Sequence, residues 1–133
     1  MCVRADFEKP EVTTRTTYAY KLVRHVARRS SYTSYLHPFN RLSQTSIPGD
    51  TGKITRYQIG ERVTSNFDIT PGFYCFASLK EARRRHSPDR FDVIRLLKVR
   101  IPKGTKIVRG WYRSGSRWCR TINAETIIPL GEV

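Results

Sequence analysis

Short runs of β-branched and aromatic residues, bounded by glycine, proline and other turn residues, recur along most of this chain of 133 residues. Runs of this length and composition are typical of β-strands rather than helices. The clearest lie at 73–77, 92–101 and 105–112. Because short turns separate most of these runs, the sequence predicts a mainly antiparallel sheet of five or six strands.

One segment carries a helix signature instead. Ser78 is followed three residues later by Glu81, the spacing of a capping box, in which each side chain satisfies an amide at the helix start. Leu79 and Ala82 give the helix an apolar side, and Pro88 ends it. We therefore expect an α+β fold with one principal short helix on one face of the sheet.

The chain is the size of one ordinary domain, and its 38% of hydrophobic residues can build a single core. Residues 1–16 are polar and are predicted to form a flexible N-terminal arm. Residues 17–133 are predicted to form the α+β domain, with a long loop region at 27–53 that is rich in polar residues.

Positive charge dominates the composition. There are 25 basic and 11 acidic residues, a formal net charge of +14, and 18 of the basic residues are Arg. Arg binds phosphate through two parallel hydrogen bonds and stacks on bases, although GC-rich coding would also favour it. The excess predicts nucleic acid, DNA or RNA, or an acidic surface of a host protein as the partner.

Basic residues, some interleaved with aromatic ones, form three candidate binding groups. The helix group comprises Lys80, Arg83, Arg84, Arg85 and Arg90. The hairpin group comprises Lys106, Arg109, Trp111, Arg113, Arg117, Trp118 and Arg120. The loop group comprises Arg28 and Arg29. Several cations on one surface suit phosphates, and exposed rings suit bases. The alternatives are a solvated helix face, Arg stacked on Trp for stability, and an ordinary exposed loop.

The three cysteines, Cys2, Cys75 and Cys119, are widely spaced and have no His close to them in sequence. A zinc site usually has closely paired ligands, so we expect neither a metal nor a cofactor. We also expect no disulfide framework. The N-terminus lacks the apolar stretch of a signal peptide, and no run is long enough to span a membrane. These features predict an intracellular protein in the host cytoplasm, or in the nucleus of a eukaryotic host.

A longer pattern links several of the predicted elements. Tyr20-Lys21-Leu22-Val23 opens it, Tyr57-Gln58-Ile59-Gly60 follows, and the stretch from Gly72 to Ala82, GFYCFASLKEA, comes next. This order is similar to that in a group of small phage, viral and bacterial proteins of unassigned function, which share a "YxVG" element and a "GxYxFxSLxEA" element. The resemblance covers roughly residues 18–109. It implies a small α+β domain from a virus or mobile element, and it provides no catalytic residues to transfer and no activity.

The sequence supports three hypotheses about function. The first is a non-enzymatic nucleic-acid-binding domain of low sequence specificity, encoded by a virus or mobile element. The second is a viral inhibitor that binds a host protein, as an anti-defence or host-takeover factor. The third and weakest is an enzyme, because Tyr32-Thr33-Ser34 with a later Glu125 resembles part of the triad of ADP-ribosyltransferases.

Overall fold

The computed structural model describes residues 3–26, 31–34, 56–65, 72–85, 94–114 and 117–133. Eleven strands and one helix lie in these ranges. They are β1 (Val3–Phe7), β2 (Glu11–Val12), β3 (Thr17–Val26), β4 (Ser31–Ser34), β5 (Arg56–Gln58), β6 (Val63–Thr64), β7 (Phe73–Phe76), α1 (Leu79–Arg85), β8 (Ile94–Ile101), β9 (Lys106–Ser114), β10 (Arg117–Ala124) and β11 (Thr126–Glu132).

The fold is mostly β, so the prediction of an α+β domain with five or six strands is wrong. One sheet has the strand order β1-β9-β10-β7-β3-β8-β11-β6, with β2 beside β9 and with β4 and β5 extending from β3. The pairings are antiparallel. One additional strand is Val3–Phe7, whose apolar and charged residues alternate and which pairs with β9. Others, such as Glu11–Val12 and Val63–Thr64, have only two residues and are too short to show alternation. Their backbone hydrogen bonds to neighbouring strands define them more than their side chains do.

The sheet curls back on itself. β4 and β11 are separated in the sheet by β3 and β8, which corresponds to about 14 Å across a flat sheet. Nevertheless, the Tyr32 hydroxyl on β4 donates a hydrogen bond to Glu132 Oε2 on β11 over 2.8 Å. β6, which follows β5 along the chain, also pairs with β11. The sheet therefore encloses its larger core.

The two surfaces of the sheet carry different cores. The inner face encloses a cluster that includes Ala19, Val23, Leu97 and Ile122. The outer face carries a smaller cluster, which includes Tyr74, Phe76, Leu96 and Cys119 and lies beneath α1. Side chains alternate along a strand, so residues two apart share a face of the sheet. By this rule, the other strand residues are assigned to the inner or the outer face.

Helix α1 begins at Leu79, as the capping pattern predicts, and the Ala82 amide donates to the Ser78 carbonyl over 3.0 Å. Leu79 and Ala82 pack on the outer-face cluster. Glu81 does not complete a capping box. Its Oε2 instead accepts a hydrogen bond from the Arg120 backbone amide over 2.9 Å, which ties the helix to β10.

Replacing Glu81 with Ala should lower the free energy of unfolding by about 1 kcal/mol, because the Arg120 amide loses a charged acceptor. Glu81→Gln keeps an acceptor oxygen at the same position and should lose less. Urea denaturation of both variants measures the difference. Equal losses for Ala and Gln would show that the hydrogen bond is not the source of the effect.

The two cysteines in the described part of the chain are both buried. Cys75 lies in the inner-face cluster and Cys119 in the outer-face cluster, so the sheet separates their thiols. They therefore form no disulfide with each other. Burial raises the pKa of the Cys75 thiol to about 11, which disfavours the reactive thiolate.

Candidate nucleic-acid interface

Three of the predicted cations lie on the solvent side of α1. Lys80, Arg83 and Arg84 are all exposed, while Leu79 and Ala82 on the other side of the helix face the sheet. The structure therefore places these three residues on one surface, as the helical spacing predicts.

Strands β3 and β8 extend this positive surface on the outer face. Lys98 and Arg100 follow Leu96 at intervals of two residues, and Arg24 follows Leu22 in the same way, so all three cations share the face that carries α1. These three cations are not among the site residues predicted from the sequence. The alternation of Leu97, Val99 and Ile101 with Lys98 and Arg100 was the signal that could have identified them.

One exposed aromatic residue lies among these cations. Tyr18 is 48% exposed, and Lys98 Nζ lies 4.8 Å from the centre of its ring. Tyr18 pairs with Arg100 across the strands. An aromatic ring flanked by two cations is the combination that can stack on a base while phosphates are neutralised.

We call the outer-face cations together with those of α1 the basic face: Arg24, Lys80, Arg83, Arg84, Lys98 and Arg100. Within the described ranges, no carboxylate lies at salt-bridge distance from any of them. Glu81 lies on the same helix as three of them, but it binds the Arg120 amide. From Tyr18 to Arg24 the face extends about 20 Å along β3. It is therefore a dispersed positive surface and not a compact patch.

The hairpin group does not join the basic face. Arg109, Trp111, Trp118 and Arg120 follow the strand alternation of the inner face and lie where β9 and β10 extend beyond the core. The Arg120 guanidinium lies 5.0 Å from the centre of a Trp111 ring, and Arg109 Nε lies 2.6 Å from Glu11 Oε1. Arg109 therefore has a carboxylate partner within the protein, and Arg120 contacts the Trp111 ring as Lys98 contacts that of Tyr18. Both tryptophans are partly exposed, at 37% and 38%.

The remaining predicted residues occupy several places. Lys106 is exposed and alternates onto the outer face. Arg113 and Arg117 lie at the turn end of β9 and β10, where Arg113 pairs with Trp118, and Arg85 ends α1. Arg28, Arg29 and Arg90 lie outside the described residues.

The inner face contains a lysine that the sequence analysis did not select. Lys21 is buried, its Nζ donates to the Tyr74 carbonyl over 2.9 Å, and it lies 5.6 Å from the centre of the Tyr57 ring. Burial lowers the pKa of Lys21. The negative charge of a Cys75 thiolate would favour the charged ammonium and so would oppose this shift. Among the described residues, the Lys21 ammonium has a single hydrogen bond to compensate for its lost hydration.

Four polar side chains meet at one end of the inner face. Tyr32 donates to Glu132, and Arg95 Nε lies 3.7 Å from the other oxygen of Glu132. The rings of His25 and Tyr32 lie 5.4 Å apart, tilted by 51°. The carboxylate that binds Tyr32 is therefore Glu132 and not Glu125. The backbone of Glu125 bonds instead to Lys106 and Ser65.

Within the part of the chain that the structure describes, no group of three His, Cys, Asp or Glu side chains could hold a metal ion. The described helix is too short to cross a membrane. Comparison with family models, curated proteins and solved structures finds no match to this chain. The function proposed below is therefore inferred from the arrangement of the side chains.

Proposed function

We propose that this chain is a nucleic-acid-binding domain of low sequence specificity, and that the basic face contacts the phosphate backbone. The observation that carries the proposal is the set of cations on α1, β3 and β8, all exposed except the half-buried Lys98, none of which has a carboxylate partner within the described residues. Unpaired cations are available to replace the counterions around a polyanion.

The shape of the basic face supports a polymer more than a small anion. Besides the cations of α1, it has Arg24 and Arg100 toward opposite ends of the paired strands β3 and β8. A length of about 20 Å can follow several successive phosphates. Phosphate contacts carry no direct sequence information, so the affinity should depend little on sequence.

Tyr18 supplies the proposed contact with bases. Its ring is exposed between Lys98 and Arg100 and is available for stacking on an unpaired base. Every base has a face that can stack, so this contact also tolerates sequence variation. It favours single strands, because the bases of a duplex are stacked on each other.

The test is a binding titration of the wild-type protein with duplex DNA, single-stranded DNA and RNA of unrelated sequences, at two salt concentrations. We expect binding to all sequences with a steep loss of affinity as salt increases. Binding that does not respond to salt, or no binding even at low salt, would refute the proposal.

A second proposal concerns the hairpin group. Trp111 and Trp118 are partly exposed beside Arg109 and Arg120 in a compact patch. Trp and Arg are the residues that most often dominate the energy of protein interfaces. This patch fits the alternative of a viral inhibitor of a host protein, and tight binding to one host protein without affinity for nucleic acid would favour that alternative.

A further inference from the structure

The four polar side chains at the end of the inner face form what we call the Glu132 cluster: His25, Tyr32, Arg95 and Glu132. They come from four different strands, β3, β4, β8 and β11. Tyr32 is buried, and its hydroxyl holds Glu132 Oε2 in place over 2.8 Å. The cluster is thus positioned by the curl of the sheet.

The carboxylate of Glu132 keeps acceptor capacity that no other described residue uses. A carboxylate can accept about four hydrogen bonds, and Tyr32 supplies one. Arg95 Nε lies 3.7 Å from Glu132 Oε1, which is too far for a good hydrogen bond. The two side chains are 42% and 43% exposed, so part of each is accessible to a ligand, although Arg95 Nε itself is buried and lacks a hydrogen-bond partner within the described residues.

Each member of the cluster matches one part of a ribonucleotide. A carboxylate accepts hydrogen bonds from ribose hydroxyls, and Arg binds phosphate. The partly buried imidazole of His25, supported by the Tyr32 ring, offers a face on which a base can stack. A structural ion pair between Arg95 and Glu132 would account for two of these residues but not for the aromatic pair beside them.

We infer that the Glu132 cluster binds a ribonucleotide, with Glu132 accepting a hydrogen bond from the ribose 2′-hydroxyl. The inference deepens the proposed function, because it makes RNA the preferred nucleic acid. His25 directly follows Arg24 of the basic face on β3, so the cluster lies at the end of the sheet that the basic face reaches, but on the opposite face of the sheet.

The experiment compares oligouridylate with oligodeoxyuridylate of the same length, which differ only in the 2′-hydroxyl. Uridine and deoxyuridine 5′-monophosphates form a second arm, which separates an RNA chain from a free nucleotide as the source of the ligand. The wild-type protein should prefer the ribose form by about tenfold, the usual effect of one hydrogen bond to a charged group. Glu132→Gln should reduce this preference, because the neutral amide oxygen accepts a weaker hydrogen bond than the carboxylate does.

Glu125→Gln is the matched control, because it removes the same charge from another acidic residue of the described chain. Both variants add one unit of positive charge and should bind polyanions slightly better. A loss of ribose preference in Glu132→Gln alone therefore cannot result from the change in net charge. Thermal unfolding of both variants checks that the fold is intact.

Each outcome decides the inference. A ribose preference that depends on Glu132, with either the polymers or the monophosphates, supports it. Equal binding of the ribose and deoxyribose forms overturns it but leaves the proposed nucleic-acid function standing. If neither polymer binds, the proposed function fails, and the monophosphate arm still determines whether the cluster recognises ribose.

Discussion

Replacing Arg83, Arg84, Lys98 and Arg100 together with Gln should weaken nucleic-acid binding by about 100-fold in about 0.1 M salt. These residues lie on α1 and β8 and form most of the basic face. Each lost phosphate contact removes one event of counterion release. The salt dependence should therefore flatten by about 0.9 logarithmic units per contact on duplex DNA.

Lys9, Arg15, Arg62 and Lys103 provide a matched control. All four are exposed and lie outside the strands and helix of the basic face. Their replacement with Gln removes the same net charge, so it should reduce affinity only through the weaker long-range field. Equal losses in the two quadruple variants would show that total charge, and not the basic face, determines binding.

Replacing Lys21 with Met should stabilise the protein by about 1–4 kcal/mol at neutral pH. Lys21 lies in the inner-face core beside Tyr57, and its Nζ donates a hydrogen bond to the Tyr74 carbonyl. Met has a similar length and no charge to desolvate. The loss of the donor to the Tyr74 carbonyl offsets part of the gain.

The effect should depend on pH because burial lowers the pKa of Lys21 below its ordinary value of 10.5. Between the folded and unfolded pKa values, the unfolded chain binds more protons, so the wild-type protein gains stability as pH rises. Below the pKa of Lys21 in the folded state, Lys21 is charged in both states, and the wild-type protein carries the full cost of burying the ammonium. The advantage of Lys21→Met should therefore be largest at low pH and should shrink toward pH 10.5.

Cys75 changes the pH dependence of stability in the opposite direction. Its pKa rises from 9.0 to about 11 on folding, so above pH 9 the unfolded chain loses its proton first and the folded state loses stability. Denaturant unfolding should therefore be compared below pH 9, or in a Cys75→Ala background.

Lys98→Met, on the outer face, serves as the control for Lys21→Met and should change stability little. A Lys21→Met variant that is less stable than the wild type would show that the amine has a structural role that outweighs its burial.

Several local features could be predicted from the sequence because they depend on neighbouring residues. Helix α1 begins at Leu79, directly after Ser78, as the capping pattern predicts, and Phe73–Phe76 is a fully buried strand. The turn before β9 contains Gly104 with a φ of 83°, a conformation that glycine adopts at little cost. The exposure of Lys80, Arg83 and Arg84 likewise follows from helical spacing alone.

The fold class and most of the candidate sites depended on contacts between distant parts of the chain. In β3, Ala19, Lys21 and Val23 face the inner core, while Tyr20 and Leu22 contact the outer cluster. Both sides of this strand carry apolar residues, so alternation could not show that Lys21 faces inward. The basic face likewise required β3 and β8 to pair in one register, because a shift of one residue would move Lys98 to the other face.

The Glu132 cluster shows the same limit most clearly. Tyr32 and Glu132 are 100 residues apart, and their hydrogen bond exists only because the sheet curls until β4 meets β11. The sequence by itself determined the positive charge, the strand-forming runs and the start of the helix, since composition and short-range sterics set these. The tertiary structure decided which cations remain unpaired on one surface and which polar groups meet, because curling and register bring together residues that no local pattern connects.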